Sequence, residues 1–128
     1  MSYYFSKVVE LPFDAAVSRA TAVLKEHGFG IITQIDVRDT LKTKLNIDFR
    51  PYQILGACNP AMAHEALQLE DKIGTMLPCN VVVQEASPGR CEIAAIDPVA
   101  SMQTVPNERL KATAGQVRDK LREVIAAI

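Results

Sequence analysis

The chain has 128 residues, 48% of them hydrophobic and 23% charged, with a formal net charge of -1. That length suits one hydrophobic core and leaves no room for a second folding unit, and the balance of apolar to charged residues excludes an intrinsically disordered chain. The near-neutral charge offers no basic field for nucleic acid, and no apolar run reaches the roughly 18 residues of a membrane span.

The densest basic set, Arg38, Lys42 and Lys44, alternates with Asp36 and Asp39 as on a solvated helix face. Neither a nucleic-acid nor a membrane partner is therefore expected. The opening Met-Ser-Tyr-Tyr-Phe-Ser-Lys has neither the charged leader nor the apolar segment of a signal peptide. Three cysteines in such a chain do not make a disulfide framework. A reduced, cytoplasmic protein is the expectation.

Tyr3 to Leu11 alternates, with Tyr3, Phe5, Val9 and Leu11 on one side, the period of a half-buried strand. From Phe13 the period lengthens: Phe13, Ala16, Val17, Ala20, Val23 and Leu24 form the apolar stripe of a helix that Gly28 stops. Phe29 to Ile35 reads as a second strand. Asp36 caps a short, mostly polar helix carrying Leu41 and Leu45, which should lie over an edge of the core. Pro51 biases Arg50 toward extended backbone, and a third strand follows from Tyr52 to Ala57 or Cys58.

Asn59 is a preferred N-cap and Pro60 suits the first helical position, so a helix begins directly after Cys58, turning Ala63, Ala66 and Leu67 inward and ending before Ile73-Gly74. Cys79 to Glu85 and Arg90 to Asp97 are strands joined by the turn-rich Ala86-Ser-Pro-Gly-Arg90 as an antiparallel hairpin. Val81, Val82 and Val83 give the first of them the look of a strand buried on both faces. After Asp97-Pro98 comes a loop or a single helical turn, and then the longest helix, where Leu110, Ala114, Val117, Leu121, Val124, Ile125 and Ile128 recur at helical spacing. Gly115 within it costs about 1 kcal/mol relative to Ala, which close packing against a neighbour would explain.

The order β-α-β-α-β-α-β-β-α predicts a single α+β domain with helices on one face of a mainly antiparallel sheet. A doubly wound parallel sheet is the alternative, but neither a G-x-G-x-x-G nor a Walker loop follows any strand. No cofactor is expected.

Chemistry concentrates at two boundaries, Cys58-Asn59-Pro60 and Pro78-Cys79-Asn80. At a helix start the exposed N–H groups and the dipole stabilise a thiolate, which favours Cys58 as the reactive thiol. Equally, free cysteine is commonly a small buried hydrophobe, the simpler reading for Cys91. His64 stands within two turns of Cys58. A Cys-His pair would make a nucleophile, and Cys58, Cys79 and His64 three zinc ligands, though no C-x-x-C or H-x-x-x-H spacing supports the metal. His27 fits the negative end of its helix. The carboxylates Glu65, Glu70, Asp71, Glu85 and Asp97 have ordinary roles in solvent or, for Asp97, in a turn.

Tyr52-Gln-Ile-Leu-Gly-Ala-Cys-Asn-Pro60, Ala63-His64, Ala66-Leu67, Ile73-Gly74, Leu77-Pro-Cys-Asn-Val-Val-Val83 and Asp97-Pro98 together resemble the bacterial and archaeal family catalogued as domain of unknown function 302. The resemblance runs from the first strand to the closing helix, with the two Cys-Asn segments as its specific part. It implies a TATA-binding-protein-like fold, a curved antiparallel sheet with helices on one side, and a homodimer. It implies no activity, and fold analogy alone gives no reason to expect DNA binding.

The functional expectation is a homodimeric module that holds a small ligand or partner where Cys58, Asn59, His64, Cys79 and Asn80 converge. The enzyme alternative makes Cys58 a thiolate carrying sulfur or redox equivalents, with Cys79 resolving and His64 assisting. A metal-binding protein is the second alternative. The apolar stripe from Leu110 to Ile128 adds to the case for a dimer.

Overall fold

The period-two segments fold into one antiparallel sheet, described with the rest of residues 2–128 by a computed structural model. Its strands are β1 (Tyr4–Val9), β2 (Gly30–Asp36), β3 (Tyr52–Cys58), β4 (Cys79–Ser87) and β5 (Arg90–Ile96), in the spatial order β1-β5-β4-β3-β2. The helices are α1 (Phe13–Glu26), α2 (Val37–Leu45), α3 (Pro60–Leu69), α4 (Pro98–Ser101) and α5 (Glu108–Ala127). Every strand pairing is antiparallel, which gives the α+β class and removes the parallel alternative.

Helices α1 and α5 cover one face of the sheet. Val81, Val83, Cys91, Ile93 and Ala95 alternate inward from the central strands and are fully enclosed with Ala16, Ala20, Leu24, Leu121 and Val124. Burying one Val, Leu or Ile side chain contributes about 1.5–3 kcal/mol, so this layer dominates the stability. A smaller cluster of Ala66, Ile73, Met102, Leu110 and Ala114 joins α3, α4 and α5 beyond the end of the sheet. The stripe of α5 therefore serves both clusters from within the chain.

The starts of α2 and α3 are capped as their sequences predict, and α4 and α5 carry caps of the same kind. Asp36 Oδ1 accepts from the Asp39 N–H at 2.9 Å, Asn59 Oδ1 from Met62 N–H at 3.2 Å, and Asp97 Oδ1 from Val99 N–H at 2.9 Å. Asn107 does the same for α5 through Leu110 N–H at 3.1 Å, and its Nδ2 donates to the Leu69 carbonyl at 2.8 Å, tying the end of α3 to the start of α5. At the other end of α5, Lys7 Nζ donates to the carbonyls of Ala126 and Ile128, and Arg19 to that of Ala127. These cations answer the negative end of the helix.

Several details depart from the sequence pattern. Val82 points to the uncovered sheet face and is only half-buried, because α1 and α5 both lie on the other side. Leu67 is 43% exposed: one helical step of about 100° carries it off the narrow inward stripe of Ala63 and Ala66. Tyr3, 65% exposed, lies before β1, and Lys7 takes a place between Phe5 and Val9 on its inner side. After α3 ends, a 3-10 helix, Asp71–Met76, holds Ile73 and Gly74. Helix α2 buries none of its side chains, Leu45 included.

The two glycines of interest behave oppositely. A Cβ on Gly56, in β3, would overlap Thr33 Oγ1 and come within 2.7 Å of Pro78 Cγ. A Cβ on Gly115 would meet nothing within 4 Å, so close packing does not account for that glycine. Urea unfolding should therefore give opposite signs: Gly56→Ala loses about 1–3 kcal/mol through overpacking, whereas Gly115→Ala gains about 0.5–1 kcal/mol from helix propensity. A neutral Gly56→Ala would remove the argument for close approach.

Candidate functional site

β3 and β4 are neighbours whose register sets Ala57 opposite Cys79 and Gly56 opposite Asn80. Cys58 ends one strand as Cys79 begins the other, so both cysteines reach the same end of the sheet. Gly56 allows the close approach there, with Thr33 and Pro78 occupying the space a side chain would need. Asn59 then starts α3 at once.

Both cysteines line a cavity of about 40 Å³ at the seam between the two apolar clusters. Helix α3 contributes Met62, Ala63 and Ala66 to its wall; Pro98 and Met102 come from α4 and its C-cap, and Leu110, Thr113, Ala114 and Val117 from α5. Cys58 is half-buried and Cys79 is 8% exposed. All three cysteines are free thiols. The wall carries no Asp, Glu, Lys, Arg or His, and so no general base for a thiol. Its two polar side chains are already engaged: Asn59 caps α3, and Thr113 Oγ1 donates to Glu65 Oε1 at 3.1 Å.

Burial first, and then the electrostatic interaction with the neighbouring Cys58, push the Cys79 thiol from its ordinary 9.0 up to about 11. Cys79 is thus a neutral thiol at physiological pH, a weak nucleophile until its proton is displaced. Cys91 belongs elsewhere. It is fully buried in the main core, where its Sγ donates to the Leu11 carbonyl at 3.3 Å, and burial followed by the charge of Glu85 raises its pKa.

Of the five residues expected to converge, the fold brings Cys58, Asn59 and Cys79 to the cavity. His64 projects outward from α3, with its Nε2 3.2 Å from Gln68 Nε2, and does not line it. Asn80 is absent from this cavity: it lines a groove of about 340 Å³ on the opposite sheet face with Tyr52, Val82 and Ile96, and a further pocket of about 270 Å³ that it shares with Cys79 and Met102. The zinc set of Cys58, Cys79 and His64 is therefore not assembled. Among the described residues no three His, Cys, Asp or Glu side chains are placed to hold a metal ion. Glu65 and Asp97 act as ties within the fold, and His27 Nδ1 lies 2.9 Å from the Val23 carbonyl at the end of α1.

Sequence reasoning missed Met62 and Met102, which complete the cavity wall. Met62 stood inside the Cys58 segment and was open to notice. Met102 had no signal, because only the tertiary fold carries it to Cys58.

The family model described as Domain of unknown function DUF302 matches residues 5–128. The chain belongs to that family. Its fold is similar to the crystal structure of an uncharacterized conserved DUF302 protein from Bacillus stearothermophilus, which is 27% identical, with a TM-score of 0.90 and 98% of both chains covered. No curated protein matches the chain.

The Cys79 thiol links the cavity to stability. Its pKa is higher folded than unfolded, so the stability it contributes is complete below pH 9 and is lost as pH rises toward 11. At about 1.4 kcal/mol per unit, this amounts to about 2–3 kcal/mol. Denaturant titrations across that range should give a shallower decline for Cys79→Ala than for the parent. Equal slopes would show that Cys79 is not a buried protonated thiol.

Proposed function

We propose that this chain is a binding module whose site is the pocket shared by Cys58 and Cys79, and that it works as a homodimer. The observation that supports the site is the arrival of two free thiols, from adjacent strands, on one apolar wall. Binding is favoured over catalysis because that wall supplies no base to activate Cys58 and leaves Cys79 protonated. The size of the cavity limits what enters. About 40 Å³ admits an ion or a few heavy atoms, whereas metabolite pockets run to about 300–1,000 Å³.

Arsenite, which is held by pairs of thiols, probes this reading. Native mass spectrometry should show one arsenic per chain, released by excess dithiol and absent from both Cys58→Ser and Cys79→Ser. No uptake by the parent, or uptake unaffected by either substitution, would mean that the two thiols do not form a site.

The uncovered sheet face supports the dimer. Tyr4, Val8 and Ile35 are each more than 40% exposed there, beside the half-buried Ile54, Val82 and Ile96. Gln84 and Glu92 stand among them, so the face is apolar with a polar break, of the composition that interaction surfaces carry. Light scattering should give twice the chain mass for the parent and the single-chain mass for Val82→Lys. A parent that stays monomeric at high concentration would contradict the dimer.

A further inference from the structure

We propose that the cavity between Cys58 and Cys79 is a site for a soft monovalent cation of the copper(I) class, with Met62 and Met102 as thioether ligands beside the two cysteine sulfurs. The proposal rests on the reading of Cys58 and Cys79 as one site, and goes further by naming the ligand and two more of its residues.

Four sulfur-bearing residues line this one cavity from four different places: the end of β3, the first turn of α3, the start of β4 and the C-cap of α4. The whole chain has three cysteines and four methionines. Two of each meet at a single cavity, and Met102 is buried there at 5% exposure. Thiolate and thioether donors together select copper(I), whereas hard cations such as magnesium and calcium need oxygen ligands. The only oxygen-bearing side chains on the wall are Asn59 and Thr113, both occupied by hydrogen bonds within the fold.

Charge points the same way. A monovalent ion balances one thiolate, and the Met62 and Met102 thioethers add donors without adding charge. Each cysteine that coordinates exchanges its thiol proton for the metal, so one proton is released per cysteine bound, with no change of oxidation state. The cavity is large enough for an ion and too small for a metabolite.

The test is an anaerobic titration of the full chain with copper(I) against a chromogenic chelator, with zinc titrated in parallel. The variants are Cys58→Ser, Met62→Leu and Met102→Leu; Leu for Met conserves volume and costs less than about 1.5 kcal/mol, and thermal melts check that each variant is folded. One copper(I) per chain is expected, weakened at least about tenfold in each folded Met→Leu variant and lost in Cys58→Ser, with zinc not competing. Folded Met→Leu variants that hold copper(I) as tightly as the parent would overturn the four-sulfur site, as would zinc displacing copper(I). If arsenite binds and copper(I) does not, this proposal falls and the paired-thiol reading stands. If neither binds, both fall.

Discussion

The meeting of β3 and β4 at Gly56 is the constraint on which the site depends. Thr33 from one neighbouring strand and Pro78 from the approach to the other fill the space above Gly56. The register on the far side of that contact sets Ala57 opposite Cys79. Any side chain at position 56 would push Thr33 or Pro78 aside, moving the start of β4 relative to the end of β3. The two cysteines face one cavity because the backbone at this corner has no room to sit differently.

From that corner the surrounding structure follows. Because Asn59 caps α3 immediately after Cys58, the helix turns back over the end of the sheet, and Asn107 ties its far end to α5 through the Leu69 carbonyl. The hydrophobic interior is thereby divided in two, one part under the sheet and one between α3, α4 and α5. Packing is least complete where such layers join, and the cavity lies at that seam. The contrast with Cys91 is informative. That thiol is enclosed in the main core and hydrogen-bonded to a carbonyl, a structural use of cysteine, whereas Cys58 stands half-exposed at the mouth of a cavity.

Much of the fold was legible in the sequence because local physics dictates it. Asp36 and Asn59-Pro60 cap the helices they announce, and the period changes at Phe13 and after Asp97 mark real boundaries. The sheet face was harder to read. Three consecutive valines suggest burial on both sides, yet which faces are covered depends on where α1 and α5 land, and nothing local to Val82 records that. Gly115 misled for a similar reason, since a glycine inside a helix signals a close contact only when a neighbour is present. At the site, the two Cys-Asn boundaries pointed to the right corner. Alternation along β4 keeps Asn80 out of the cavity that Cys58 and Cys79 line, although it shares a neighbouring pocket with Cys79, and helical phase carries His64 away from Cys58. Met102 enters only through tertiary structure.

The central claim is that Cys58 and Cys79 present their sulfurs to one shared cavity. The most direct measurement is the anomalous difference map of a crystal of this chain soaked in mercuric ion, which seeks thiolate sulfur. The account predicts a single strong peak between the sulfurs of Cys58 and Cys79, within bonding distance of both, with Cys91 unlabelled. A peak on Cys58 alone, or separate peaks on the two cysteines in different compartments, would contradict it.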